Sequence, residues 1–213
     1  MKTMLTVLLA ALIMAAGAQA ATVLIINNDK PNEGFNDETA VAPVGGNPGV
    51  TIGEQRLNVF QYAADIWGSH LPSDVTIRVG ATFDALTCDA ESAVLGSAGP
   101  VSVERDFPDA QWAGHWYHVA LANKQAGVDL EPDSDDIRAR FNSSIDNNDN
   151  CLAGMSWYYG YDGASGPDVA LLPVILHEMG HGLGFSTMVN EADGSELGGY
   201  PDVFETFILD TTR

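Results

Sequence analysis

The sequence predicts an α+β domain in which a twisted sheet packs against two helices. Two segments, 53–67 and 168–182, carry apolar residues at helical spacing and are expected to form these helices. Apolar and polar residues alternate over 75–83 and again over 137–145, as they do in strands with one buried face. No repeat or low-complexity linker divides the chain, so residues 21–213 are expected to form one domain.

The first elements follow from local signals in chain order. Residues 22–26 are a short apolar run, which predicts a buried strand. A stretch rich in Gly, Asn, Pro and Asp follows and indicates a long loop. Thr51 and Glu54 have the spacing of a capping box, so the first helix is expected to begin there. Gly68 and Pro72 are expected to end it.

The later elements are less uniform in pattern. Residues 115–124 suit either a strand or a helix, whereas the aromatic residues of 154–161 predict a strand before the turn at Asp162. The last helix contains Pro173. This proline either kinks the helix or marks a start only one turn before His177.

The N-terminal twenty residues have the pattern of a secretory signal peptide. Lys2 precedes an apolar run over 5–16, and the segment closes with small residues at Ala18 and Ala20. The run is too short to span a bilayer. We therefore expect residues 1–20 to be removed and the protein to be secreted or periplasmic, with no membrane span.

The charge of the chain excludes several classes of partner. Its 213 residues hold 9 Lys and Arg against 29 Asp and Glu, a net charge of −20. Phosphate backbones and anionic lipids repel such a chain, so neither nucleic acid nor a membrane surface is an expected partner.

The two cysteines, Cys88 and Cys151, predict one disulfide. Exported proteins fold in oxidising compartments, and closing a loop of about 60 residues could stabilise the fold by roughly 4 kcal/mol. Two free, buried thiols are the alternative.

The residues that indicate chemistry lie at 175–186, Ile-Leu-His-Glu-Met-Gly-His-Gly-Leu-Gly-Phe-Ser. His177, Glu178 and His181 form the pattern H-E-x-x-H. At 3.6 residues per turn the two histidines share one helix face and can bind one Zn²⁺. Glu178 is rotated about 100° from His177, a position that suits a general base for a zinc-activated water. The apolar residues before His177 predict that this part of the helix is largely buried.

Gly184 narrows the type of site that the motif predicts. A glycine three residues after the second histidine permits a sharp turn at the end of the helix. The compact form of the longer pattern would place a third histidine at position 187, which is Thr187 in this chain. The sequence therefore gives zinc only two secure ligands.

The segment H-E-M-G-H-G-L-G-F-S resembles the leishmanolysin-like metzincins, and more closely the exported bacterial metalloproteases related to them. The stretches that share this resemblance are 57–61 (LNVFQ), 141–143 (FNS), 157–160 (WYYG) and 201–204 (PDVF). The resemblance implies a zincin-like fold and a zinc-dependent endopeptidase acting on peptide or protein substrates. His177 and His181 would bind zinc, and Glu178 would act as general base and then as proton donor. The 154–161 strand is expected to form the edge of the cleft.

The resemblance also implies that a long insertion separates the glycine turn from a third histidine and a methionine-containing turn. All five histidines lie within or before the motif, so we expect the chain to be the N-terminal part of such a protease. The third ligand would then lie beyond residue 213. Asp202 or Glu205 is the alternative ligand, and an upstream histidine is a further one. Asp202 also suits a turn or a helix cap after Pro201.

Two other groups of polar residues are weaker candidates for a metal site. The acidic residues around 133–136 and the series Asp146, Asn148, Asn150 suggest Ca²⁺, but the latter lacks the glycine of an EF-hand loop, so surface turns are favoured. His115 and His118 are expected to be core or surface histidines. A non-catalytic or truncated zincin-like binding module, and an exported adhesion protein with an accidental motif, remain the alternative functions.

Overall fold

A computed structural model describes residues 20–146 and 148–208, so the predicted signal peptide, apart from Ala20, lies outside the described residues. Three helices are formed, α1 (Ile52–His70), α2 (Val119–Ala126) and α3 (Leu171–Leu183). The strands in chain order are β1 (Val23–Asn27), β2 (Ile77–Asp84), β3 (Gly96–Pro100), β4 (Val103–Glu104), β5 (Tyr117–His118), β6 (Ile137–Asn142), β7 (Trp157–Tyr158) and β8 (Val169–Ala170). None of the helices in the described part of the chain is long and apolar enough to cross a membrane.

The main sheet has four strands in the order β1-β2-β6-β3. β1, β2 and β6 are parallel, and β3 runs antiparallel to β6 at one edge. Alternate residues of β2 and β6 bury their side chains on one face, where α1 and α3 cover them (Ile77, Val79, Ala81, Phe83, Ile137, Ala139 and Phe141). The other face carries polar side chains, among them the exposed Arg138 and Arg140. The predicted α+β class is therefore confirmed.

The start of α1 is confirmed, and the helix ends before Pro72 as expected but runs to His70, three residues past its predicted end at 67. The Glu54 N–H donates to the Thr51 hydroxyl at 3.1 Å, and the Glu54 carboxylate accepts from the Thr51 N–H, which completes the capping box. The helix continues through Gly68 to His70. Gly68 allows close approach of the chain entering β1, because a Cβ atom there would lie 2.5 Å from the Ala21 carbonyl oxygen.

The predicted 137–145 strand is confirmed only as far as Asn142. The Asn142 side chain accepts the Ser144 N–H at 2.9 Å and caps a short 3₁₀ turn, so the strand ends there. The 115–124 segment combines both alternatives, since the two-residue strand β5 leads directly into α2.

The expected strand over 154–161 is much shorter in the structure. Only Trp157–Tyr158 is a strand, and it pairs with β8 in a separate two-stranded sheet. The aromatic residues serve a buried network instead. The Trp157 indole N–H donates to the Asn142 carbonyl at 2.7 Å, and the Tyr159 hydroxyl donates to Asp146.

The disulfide prediction is confirmed. Cys88 and Cys151 are bonded across a sequence separation of 63 residues. The bond joins the segment that precedes β3 to the loop that precedes β7, and Cys151 is fully buried. The disulfide therefore links the segment before the edge strand β3 to the buried loop around Cys151.

Candidate metal centre

Helix α3 carries the H-E-x-x-H residues and begins at Leu171, three residues later than predicted. Pro173 lies in its first turn, where the missing N–H would have no partner within the helix. Of the two predicted roles for Pro173, the helix start is the observed one. Trp67 fixes the position of α3 against α1, since its indole N–H donates to the Leu176 carbonyl at 3.2 Å.

The imidazoles of His177 and His181 converge on one point. Their Nε2 atoms lie 3.1 Å apart, with the two rings perpendicular. Two nitrogens bound to one tetrahedral zinc at about 2.0–2.1 Å would be separated by about 3.3 Å. The observed separation therefore fits a shared metal ion. Helix α3 buries Ile175 and Met179 as expected, whereas His177 lies on its exposed side and is accessible to solvent.

The turn after α3 orients the second histidine. The His181 Nδ1 donates to the Phe185 carbonyl at 2.8 Å, so its Nε2 keeps a free lone pair on the side of His177. The chain reaches Phe185 through Gly184, which has a φ of +122° and donates its N–H to the carbonyls of Gly180 and His181. A side chain at this φ would be strained, and the predicted glycine turn is confirmed.

Glu178 is held by the edge strand of the main sheet. Its carboxylate accepts the Ala98 N–H at 3.0 Å. The ladder with β6 uses the residues on either side, so the Ala98 N–H points away from the sheet and toward α3. β3 was not predicted, because Gly-Ser-Ala-Gly-Pro has no apolar alternation and little strand propensity.

A groove lies between the start of β3 and the first turns of α3. It encloses about 450 Å³ and contains His177 and Glu178 at one end. The rest of its lining is mostly apolar and consists of Val94, Leu95, Gly96, Pro173 and Val174. The candidate catalytic group therefore opens onto a surface that could contact an apolar side chain.

The acidic alternatives for a third ligand bond to each other at the start of a short 3₁₀ helix, Phe204–Phe207. The Asp202 carboxylate accepts from the Thr187 hydroxyl at 2.8 Å and from the Glu205 N–H at 2.9 Å. The Glu205 carboxylate in turn accepts the Asp202 N–H at 2.7 Å. Over residues 20–146 and 148–208, no three His, Cys, Asp or Glu side chains form a group that could hold a metal ion. Asp202 thus stabilises the turn after Pro201, the other role that the sequence allows.

His118 is a buried neighbour of this site whose importance the sequence did not reveal. It is 1% exposed, and its Nε2 lies 2.8 Å from the Ser186 hydroxyl. Burial lowers its pKa to about 4, with the Asp202 charge opposing and His181 reinforcing that shift. His115 instead lies near the surface and contacts the Ala113 carbonyl.

Two of the side chains that suggested Ca²⁺, Asp146 and Asp136, make buried contacts within the fold. The Asp146 carboxylate binds the buried Arg56 guanidinium at 2.7 Å and the Tyr159 hydroxyl. Asp136 accepts the Arg78 N–H at 2.7 Å, and burial raises the pKa of its carboxyl group.

No protein-family model matches the chain, and no curated protein or solved structure is significantly similar to it. The class that the structure itself defines is an α+β domain with a mixed, one-sided sheet. Its distinguishing site is a His–Glu–His cluster on one helix, with the glutamate bound to the sheet edge.

Proposed function

We propose that this protein is an exported zinc-dependent metalloendopeptidase with a zincin-like fold, related to the leishmanolysin-like metzincins. The observation that carries the proposal is the convergence of the His177 and His181 Nε2 atoms at 3.1 Å beside Glu178. The disulfide is compatible with folding outside the cytoplasm.

His177 and His181 would hold the zinc ion. The His181 contact with the Phe185 carbonyl supports this role, because it orients the ring and leaves Nε2 unprotonated. A further ligand would come from a group outside the described residues. Bound zinc would supply a Lewis acid that polarises the substrate carbonyl and makes water more acidic.

Glu178 would transfer the proton during hydrolysis. Its carboxylate takes a proton from the attacking water as the water oxygen bonds to the peptide carbonyl carbon. The same proton then passes to the leaving nitrogen as the C–N bond breaks. The Ala98 N–H accounts for only one carboxylate oxygen, so the other is free of a protein donor in the described part of the chain.

Strand β3 would align the substrate. The Gly96 N–H and carbonyl and the Ala98 carbonyl do not pair with β6 and point to the outside of the sheet, while the Ala98 N–H is held by Glu178. An extended peptide can bind such an edge through main-chain hydrogen bonds. The apolar groove beside His177 would then receive one of its side chains.

The test combines metal analysis with peptide hydrolysis. The purified chain, in a form extended downstream to include the expected third ligand, should bind zinc and cleave an unstructured protein substrate. Glu178→Gln should keep the metal and the Ala98 contact but lower kcat by about 10²- to 10⁴-fold, because an amide cannot accept the proton. Glu191→Gln, in an exposed loop, is the matched control. Equal activity of wild type and Glu178→Gln would refute the mechanism.

A zinc-binding module without catalytic activity is the second candidate. The absence of a third ligand group from the described residues favours it. Stoichiometric zinc without hydrolysis, in the chain and in a form extended downstream, would identify this function. If neither form retains zinc, both proposals are contradicted. The function that then agrees with the result is an exported adhesion protein in which the H-E-x-x-H motif is accidental.

A further inference from the structure

A buried polar cluster holds the turn that follows the metal-binding helix. The cluster consists of His118 and Asp202, which are each 1% exposed, together with Ser186 and Thr187 of the turn. We call it the 118–202 clamp. Neither buried side chain belongs to the H-E-x-x-H motif.

The first arm of the clamp runs from His118 to the end of α3. The His118 Nε2 lies 2.8 Å from the Ser186 Oγ, and the Ser186 hydroxyl donates to the His181 carbonyl at 3.4 Å. Since the hydroxyl hydrogen is used in this way, His118 Nε2 is the donor to Ser186. Its Nδ1 is then an acceptor, and no partner for it is found in the described ranges.

The second arm runs from Asp202 to the next two residues of the turn. One carboxylate oxygen accepts both the Thr187 hydroxyl, at 2.8 Å, and the Met188 N–H. The two arms are joined through Trp116, whose N–H donates to the Pro201 carbonyl and whose carbonyl accepts the Val203 N–H, both at 2.9 Å. His118 and Asp202, which are distant in sequence, thus both hydrogen-bond to the turn at residues 186–188.

The turn acts on the metal-binding histidine through Phe185. The Phe185 carbonyl accepts from His181 Nδ1, and Ser186 is the next residue. The Phe185 side chain is 63% exposed, so packing does little to fix this peptide group. The Phe185 N–H donates to the Gly180 carbonyl at 3.0 Å, and the polar contacts at Ser186 and Thr187 hold the chain on the other side of the Phe185 carbonyl.

We propose that His118, Ser186 and Asp202 are positioning residues that fix the Phe185 carbonyl and thereby the tautomer and orientation of His181. Only the consequence for zinc affinity rests on the proposed function. The tautomer is a property of the protein itself.

The test is the tautomer of His181 in the metal-free full chain, measured by long-range ¹H–¹⁵N NMR at pH 8. Wild type should show a single Nδ1–H form. Ser186→Ala removes the first arm and should give a mixture of the two neutral tautomers. The separate variant His118→Gln should retain the single Nδ1–H form, because the glutamine amide can donate to Ser186 as His118 does. His70→Ala, at the exposed end of α1, is the matched control.

Zinc affinity gives a second readout. Ser186→Ala is expected to weaken zinc binding about 10-fold, the effect of losing an outer partner of a ligand, while His118→Gln stays near wild type. If Ser186→Ala does not fold, Thr187→Val tests the second arm in the same way, since it removes one donor to Asp202.

The results separate this inference from the proposed function. An Nε2–H form of His181 in wild type, or an unchanged Nδ1–H form in both turn variants, would overturn the positioning role. A tautomer that depends on the clamp in a protein that binds no zinc would support the positioning role and overturn the metalloprotease. Zinc-dependent hydrolysis by a protein whose His181 tautomer is unchanged in the variants would support the metalloprotease and overturn the positioning role.

Discussion

His118 shows how strongly a single residue here depends on its surroundings. Its imidazole is buried between α2, the turn after α3 and Asp202. Burial lowers its pKa from 6.5 to about 4, because the charged form would lose its hydration. The side chain is therefore neutral in the folded protein over a range in which it is protonated in the unfolded chain.

This difference predicts a pH-dependent stability. Between pH 6.5 and pH 4 the unfolded state binds more protons at this residue, so stability is lost as the pH falls through that window. The loss should approach about 3 kcal/mol near pH 4. Urea denaturation of wild type and His118→Gln from pH 7 to pH 4 checks it. The difference between the two free energies of unfolding should shrink or reverse in acid, and parallel pH profiles would contradict the prediction.

Single residues also show what the sequence could predict. His177, Glu178 and His181 could be assigned because their spacing on one helix is a local property. The roles of His118 and Asp202 could not, since both depend on contacts with a turn 68 and 14 residues away. Only the folded chain brings those groups together.

At the scale of elements, the start of α1 can be tested directly. Thr51→Ala removes the hydroxyl that caps the Glu54 N–H and should destabilise the protein by about 1 kcal/mol. For a domain of this size the midpoint of thermal unfolding should fall by about 2–4 °C. Thr51→Ser keeps the cap and should remain near wild type. Equal midpoints for the alanine and serine variants would show that the cap contributes nothing.

Strand β3 has a predicted effect on catalysis. Ala98→Pro removes the N–H that holds Glu178 without removing a ladder bond to β6. Under the proposed function, kcat should fall roughly 10- to 100-fold through misplacement of the carboxylate. Ala98→Gly keeps the N–H and is the control. For each variant, kcat and the midpoint of thermal unfolding are both measured, so that a misplaced Glu178 can be told from an unfolded protein. Full activity of Ala98→Pro would exclude a role of the Ala98 N–H in positioning Glu178.

The elements differ in how well the sequence predicts them. α1 and β2 could be predicted because their apolar spacing matches one buried face. β3 could not, since Gly96 to Pro100 carry small side chains and owe their conformation to β6 and α3. The aromatic residues of 154–161 do not indicate a long strand. Trp157 and Tyr159 are buried because they hydrogen-bond to Asn142 and Asp146.

For the whole molecule, the contribution of the Cys88–Cys151 disulfide to stability can be tested by substitution. Replacing both Cys88 and Cys151 with alanine frees a closed loop and should cost about 4 kcal/mol by the chain-entropy estimate. The midpoint of thermal unfolding should fall by roughly 10 °C. Calorimetry of the oxidised wild type and the double variant measures this. Coincident transitions would mean that the bond does not stabilise the fold.

The composition of β3 also makes this edge of the sheet a poor template for fibril growth. An open sheet edge is a template onto which further copies of a chain can add. This edge is short, its side chains are small, and Pro100 offers no N–H at an outward position. Glu178 already occupies the outward N–H of Ala98. A single peptide segment could lie along such an edge transiently, whereas stacking of successive strands would find too few donors and too little side-chain contact to propagate.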